Sequence, residues 1–473
     1  MLAIVPRAGS DRRHLDRGQR GRAKRRAAHR SRARRNRRAC NPEDLRRRSA
    51  GARPPHMVDA EASGSGDIDR RVHVDGQDWD PRWVSDDYGV VYLAPIDWTF
   101  RKQDHQFTCL ALAARGKPVV YVENTGARFP SWRDLGRVLG RLRNAARSLR
   151  PSVGLAPKGI AVVSPLVIPG GEHGLERFIN RALLRNQVAP TLRAMRGRKL
   201  VMWVGLPTWA ALDLIDAVQP DLVVYYCGDA FREVPGVRPG LAVSEARLLQ
   251  RADVVFANSS ALAEYCRAQG ADPQFIPIGI DLSVSARYRA AHVELPSELR
   301  DLRGRLIGYM GGLNHKVDVG MFDAVVDAFP EDSVVVLGGV EDPRFRPSSP
   351  RVLILGERPY DEIGRYLMHF DVCLIPYVVN PFTESVYPGK LVEYLAHGRP
   401  VVSTPIREVL PYAAVVKIES TVDGFVAAVA QTLAEPDSAD RRAERVRAIE
   451  QNAYENVVNA MISAVEARLA RLA

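Results

Sequence analysis

The chain is poor in the features that would place it in several large classes. Its five cysteines (Cys40, Cys109, Cys227, Cys266, Cys373) are scattered, with no CxxC and no Cys/His spacing. That argues against a structural zinc site and against a disulfide framework, and it fits a reducing compartment. No apolar run approaches 18 residues, so no segment reads as a membrane span. No apolar stretch follows the arginines near the start, so that region does not read as a secretory signal, and Arg12-Arg13 is a poor twin-arginine candidate. Basic charge is also missing where a nucleic-acid reading needs it. The formal charge is +12, but residues 1–50 hold 17 Arg and one Lys against Asp11, Asp16, Glu43 and Asp44, a net +14. The rest of the chain therefore sums to −2, and a nucleic-acid-binding protein led by its arginine tail survives only as the non-enzymatic alternative.

The arginine-rich start has almost no apolar residues and cannot build a core. Residues 1–78 read as a disordered tail and lead-in. Met57 is an alternative start, and residues 1–56 are expected to be dispensable for folding and turnover. The 473 residues are too many for one core and enough for two or three domains.

Beyond the tail, Val- and Ile-rich runs alternate with helical patterns: "GVVYLAP", "KPVVYVEN", "GIAVVSPLVIP", "KLVMWVGLP", "DLVVYYCGDA" and "DVVFANS", then "RLIGYMGG", "SVVVLGG", "RVLILGE", "DVCLIPY", "VVST" and "VVKIES". Near-continuous apolar strands between helices mean parallel sheets covered on both faces. The pattern breaks in a proline-containing polar stretch from about 282 and then restarts. This divides the chain into an N-terminal Rossmann-like domain (79–285), a linker (286–303), a second Rossmann-like domain (304–445) and a C-terminal helix (446–473) expected to pack back on the first half. Two such halves place a cleft between the carboxyl ends of their sheets, where ligands bind in this architecture.

The most informative stretch is "ESVYPGKLVEYLAHGRPVVST", residues 384–404. Pro388 suits a helix start, Gly398 suits a left-handed C-terminal cap, and Pro400 stops the helix before a buried strand. Lys390 and Glu393 share one face of its first turns. A cation beside free N–H groups makes an anion site, and a carboxylate one turn inside accepts hydrogen bonds from sugar hydroxyls. Phosphate plus ribose points to a nucleotide; a plain surface ion pair is the alternative.

"YPGKLVEYLAHGRPVVST" resembles the nucleotide-sugar motif of GT-B glycosyltransferases of the family 4 type (glycosyl transferases group 1). "IGYMGGLNHKVDVGMFDAVVDAFP", "LLQRADVVFANSSALAEY", "IPIGIDLS" and "LGERPYDEIGRYLMHFDVCLIPY" are similar to further segments of that family in order and spacing. "DWTFRKQDHQFTCLALAARGKPVVYVEN" resembles bacterial glycosyltransferases of cell-surface polysaccharide synthesis, the teichuronic-acid type among them. The resemblance spans roughly residues 88–470. It implies two facing Rossmann domains, a nucleotide-diphosphate sugar as donor substrate, no separate cofactor, no metal, and transfer with retention. It also implies Glu393 on the ribose hydroxyls, with Gly311, Gly312 and Gly389 letting main-chain N–H groups approach the diphosphate. Leu391 and Arg358 complete that donor set, and Lys316 and Lys390 would neutralise the leaving diphosphate.

Two departures stand out. The glutamate that the family often carries eight residues before Glu393 is Ser385 here, with Glu384 one position off. The histidine that many relatives place after the "VMWVGLP" strand is missing, and Gly205-Leu206-Pro207 occupies its place. Asp229 and His105 are the candidates for the group the N-terminal half contributes; a helix cap and a polar helix residue are their bland readings.

The segment 131–150 sets Trp132, Leu135, Val138, Leu139, Leu142, Ala146 and Leu149 at helical spacing beside Arg133, Arg137, Arg141, Arg143, Arg147 and Arg150. That combination reads as an interfacial helix on anionic lipid, or as a surface helix packed on its own domain. The resulting expectation is a cytoplasmic glycosyltransferase of envelope polysaccharide or glycolipid synthesis, peripheral on the inner face of the plasma membrane, with a glycan or lipid-linked acceptor. A sugar-nucleotide epimerase of the same fold is the enzymatic alternative.

Overall fold

The computed structural model describes residues 88–472 apart from 100–102, 124–158, 166, 169–171, 194, 196, 235, 236 and 238. The arginine tail, Met57 and the 131–150 segment lie outside the described residues. Seven runs form the first sheet: β1 (Tyr88–Leu93), β2 (Val119–Val122), β3 (Ile160–Val163), β4 (Lys199–Val204), β5 (Leu222–Cys227), β6 (Val254–Ala257) and β7 (Pro273–Phe275). Six form the second: β8 (Leu306–Met310), β9 (Ser333–Leu337), β10 (Val352–Ile354), β11 (Val372–Ile375), β12 (Val401–Ser403) and β13 (Val416–Ile418). The orders are β3-β2-β1-β4-β5-β6-β7 and β10-β9-β8-β11-β12-β13, and every pair in both is parallel. The two doubly wound sheets expected from the alternating pattern are both present.

The central strands show why these runs carry so few polar residues. Val91 pairs with Val120 on one side and Met202 on the other. Val91 and Leu93 face one apolar cluster, while Val90 and Tyr92 face a second across the sheet, as the two-residue period of a strand requires. A strand buried on both faces cannot alternate polar with apolar.

The final helix, Tyr454–Arg471, belongs with the first sheet. Its Val457, Val458, Met461, Ile462, Val465 and Leu469 join the cluster under Tyr92 and Trp203. The chain thus passes between the two halves twice, and the passages run side by side. Ile280 N–H donates to Asn452 O at 2.8 Å, and Tyr454 N–H donates to Ile280 O at 3.0 Å.

The stretch from 282 is not extended. Leu282–Ala290 is a helix capped by Asp281, whose side chain accepts from the N–H groups of Ser283 and Val284. It has almost no apolar face, with Ser285 its one buried residue, so no periodicity announced it. It packs against the helices Ile363–Leu367 and Gly389–Ala396 of the second half. Among the described residues, no helix is long and apolar enough to cross a membrane.

Candidate active site

Each sheet reverses its strand order once, between β1 and β4 and between β8 and β11. In open parallel sheets the crevice beyond such a reversal collects ligands. In the second half, β8 ends at Met310 and the chain turns through Gly311, at φ +126°, a conformation that glycine adopts without strain. A Cβ at Gly311 would stand 3.3 Å from Lys390 Nζ, and one at Gly312 would stand 1.9 Å from Oε1 of Glu341. Both positions suit glycine because the side chains of Lys390 and Glu341 already crowd the places where a Cβ would be.

Lys390 comes up beneath this turn from the helix Gly389–Ala396. Its Nζ donates to the hydroxyls of Tyr309 at 3.0 Å and Tyr377 at 2.7 Å. It also lies over both rings, 4.3 and 4.4 Å from their centroids. Burial lowers the lysine pKa, and Tyr377 opposes that effect. Burial raises the Tyr377 hydroxyl, but Lys390 and Lys316 outweigh it and bring it below its ordinary value. The motif puts Lys390 on the same helix face as Glu393; in the structure it is 8% exposed, a buried amine clamped by two tyrosines. Neither tyrosine is near it in sequence, so nothing local announced the clamp.

Lys316 follows the same glycine turn. Across the cleft from it stands Asp229, beyond the end of β5. Asp229 is exposed; loss of solvent around its carboxyl raises its pKa, and the charge of Lys316 opposes this. Gly311, Gly312, Lys390, Lys316 and Asp229 thus converge on one place.

Glu393 lies one turn deeper in the same helix, its side chain 12% exposed. Burial lifts its carboxyl to about 7; a hydrogen bond from the Tyr360 hydroxyl opposes this, and the charge of Asp281 adds to it. His397 Nδ1 is 3.9 Å from the Glu393 carboxylate and donates to the Glu393 main-chain carbonyl at 2.8 Å. Burial holds His397 at about 4, so near neutrality the two are not an ion pair. The helix ends at Gly398, at φ +68°, as a left-handed cap should.

The other motif residues stand apart from this convergence. Gly389 is exposed, and a Cβ there would meet nothing within 4 Å. Leu391 is a fully buried core residue whose N–H donates to Pro388 O. Arg358 is tied to Tyr366, the Leu355 carbonyl and Glu298. Glu384 ends the short helix Pro381–Glu384, and its charge acts on Arg407.

On the first half, His105 is buried below the cleft. Its Nδ1 lies 2.8 Å from the Tyr92 hydroxyl, and the ring meets Tyr226 edge-on at 5.6 Å. Burial lowers its pKa to about 3, so it is neutral in any ordinary buffer. A Cβ at Gly205 would stand 3.1 Å from His105 Cε1 and 3.0 Å from Pro95 Cδ. The glycine noted after the "VMWV" strand is therefore where the imidazole packs.

The neighbouring Asp104 escaped the sequence reading. It accepts from Tyr226 Oη at 3.0 Å and from Tyr454 and the Gly279 N–H, and burial lifts it to about 6. Gly279 and Tyr454 sit on the two passages between the halves, so this carboxyl ties both to the helix Asp104–Ala114. Phe107 of that helix stacks on Tyr454 at 3.9 Å and meets Tyr360 edge-on at 6.2 Å. Elsewhere the halves are joined by Ser259 Oγ to Ser385 O at 2.8 Å, by the Ser260 N–H to Glu408 at 2.6 Å, and by Arg407 to Glu264 at 2.7 Å.

Residues 304–436, which carry the glycine turn, Lys390 and Glu393, match the family model of glycosyl transferases group 1. A Bacillus subtilis (strain 168) protein named for teichuronic acid biosynthesis, the glycosyltransferase TuaH, is 24% identical over 241 residues, covering 46% of this chain and 60% of its own length. The chain therefore spans about three fifths of that curated relative. In fold, 81% of the chain overlays all of a sucrose-phosphate synthase from Thermosynechococcus elongatus with TM-score 0.58 at 16% identity. Similarly, 80% overlays 99% of the Anabaena protein HepE in complex with UDP-glucose, with TM-score 0.55 at 13% identity. A trehalose 6-phosphate synthase from Burkholderia multivorans gives TM-score 0.57 at 12% identity over 81% of this chain and 97% of its own. The half that holds the glycine turn is thus similar to the group 1 glycosyl transferases, and the described chain shares the two-sheet fold of these solved structures.

Proposed function

We propose that the chain moves a sugar from a nucleotide-diphosphate sugar, held by the second half, to a glycan or lipid-linked acceptor of the cell envelope held by the first. The observation that carries this reading is the convergence at the end of β8, where a glycine turn and two lysines stand one helical turn from a buried carboxylate. In it, the main chain at Gly311 and Gly312 meets the diphosphate, and Glu393 accepts hydrogen bonds from the ribose. Lys390 and Lys316 stabilise the charge that grows as the sugar–phosphate bond breaks, a contribution that preorganised cations make without reorganising. Transfer with retention and without a metal belongs to the same reading, and Asp229 and His105 are the groups the first half offers. The HepE complexes with UDP and UDP-glucose support testing uridine nucleotides first, and the name of the Bacillus relative supports an envelope acceptor. The arginine-rich 131–150 segment supports a role at the inner face of the plasma membrane, and charge reversal of Arg137, Arg141 and Arg147 tests it by cosedimentation with anionic vesicles.

The deciding experiment is a thermal-shift screen against UDP-, GDP- and dTDP-sugars, followed by nucleotide release with and without acceptor. A ligand at 100 times its Kd adds about 2.7 kcal/mol of stability. One donor class should raise Tm, and acceptor should accelerate nucleotide release. Nucleotide-sugar turnover without acceptor or nucleotide release would identify an epimerase instead. No shift with any nucleotide sugar would remove the donor assignment.

A further inference from the structure

The diphosphate turn already holds an anion of the chain's own. Glu341 follows β9, on the strand next to β8. Its carboxylate stands over Gly312, with Oε1 1.9 Å from where a Cβ would be. Its other oxygen, Oε2, accepts from Asn314 Nδ2 at 2.8 Å, and its main-chain N–H donates to Leu313 O at 3.0 Å. Both ends of Glu341 are thus fastened to the loop that leads from the glycines to Lys316. Its negative charge also reaches Lys390, Tyr309 and Tyr377. A carboxylate and a phosphate group seek the same partners: cations, amides and closely approachable main chain.

We propose that Glu341 is an internal anion of the donor site, which an incoming nucleotide diphosphate displaces from the glycine turn, so that this residue sets donor affinity. The inference rests on the donor reading above. Glu341 is exposed, so its side chain can swing into solvent with no repacking of the core. Two like charges cannot share the turn, since their repulsion at contact distance is large wherever solvent is partly excluded. The Glu341 carboxylate therefore competes with the ligand and lowers its apparent affinity by the fraction of chains in which the turn is free.

The experiment is titration calorimetry of the full chain with UDP and GDP, and with the corresponding nucleosides, at low and high salt. Wild type is compared with Glu341→Gln and Glu341→Asp. Gln keeps the size and the contact with Asn314 and removes the charge. It should lower the Kd of the nucleoside diphosphate about tenfold, which is 1.4 kcal/mol. It should leave nucleoside affinity unchanged, and its advantage should shrink at high salt. Asp should behave like wild type or fall between the two. Weaker or equal diphosphate binding by Gln would overturn the inference, as would a gain of equal size for the nucleosides. Failure of wild type to bind either diphosphate would instead remove the donor reading, so the two failures are distinguishable.

Discussion

The carboxyl of Glu393 titrates near neutrality, and donor binding should follow it. Burial holds this group at about 7, while His397 beside it, at about 4, stays neutral through the range that matters. A ribose hydroxyl donates best to the ionised form. If only that form binds, the apparent Kd is the intrinsic value divided by the ionised fraction. That fraction is about one half at pH 7 and about one in eleven at pH 6, so affinity should weaken roughly tenfold from pH 9 to pH 6. Glu393→Gln removes a hydrogen bond to a charged group, with a contribution of about 1.5–3 kcal/mol. Its Kd at pH 9 should therefore be about 10- to 150-fold higher than wild type, and its pH profile should be nearly flat. The assay is calorimetric titration of a nucleotide sugar, whose diphosphate diester does not itself titrate here, in steps from pH 6 to 9. Any slope that survives in the Gln variant belongs to other groups, Asp104 foremost. A wild-type affinity independent of pH, or a folded Gln variant that binds as wild type does, would refute the assignment of Glu393 to the ribose.

Three further outcomes follow from the same packing. Lys390→Ala should unfold more readily than wild type, because it deletes a buried stem and strands two tyrosine hydroxyls, at a cost of about 2–5 kcal/mol. Lys390→Met should hold its Tm within a few degrees yet lose turnover about 100-fold or more, and a Met variant with normal kcat would show that the charge does not act in the transition state. Gly311→Ala should cost about 1–3 kcal/mol in urea unfolding because of its positive φ, while Gly389→Ala should be neutral or slightly stabilising; equal effects would contradict the geometry. The carboxyls of Asp104 and Glu393 are raised by the fold, so the native state favours their protonated forms. Their stabilisation is complete below their unfolded values, near pH 4, and declines as pH climbs through about 6 and 7. Asp104→Asn should accordingly raise Tm at pH 8 and change it little at pH 4, as calorimetric scans would show; a lower Tm at pH 8 would mean that its three hydrogen bonds outweigh the cost of the buried charge.

How far the sequence could be read depended on the range of the interactions involved. The strands and the helix at 389–396 were legible because their signals are local: Val and Ile runs, a proline before the helix, a glycine and a proline after it. The glycine turn was legible for the same reason. The tyrosine clamp on Lys390 was not, since Tyr309 lies in β8 and Tyr377 just beyond β11, and the two meet only when those strands pair. Asp104 was missed because its partners lie at 226, 279 and 454, on three elements that no period connects. Leu391 and Arg358 came in through the motif and not through their own chemistry, and the structure gives one to the core and the other to a tie with Glu298. The helix at 282–290 passed for a linker because it docks through Tyr288 and a cap, with no apolar stripe.

The return of the last helix makes the second half an insertion within the first. The N-terminal sheet is completed by residues that come after the whole second half has been written, so a ribosome must finish the second domain before the first can close its apolar face. A stop codon shortly after 449 would leave the second half's own strands and helices intact while stripping Val457, Met461, Ile462 and Val465 from beneath Tyr92 and Trp203. The damage from a lesion at the end of the gene would thus appear at the beginning of the protein, in the sheet that holds Tyr92 and Trp203.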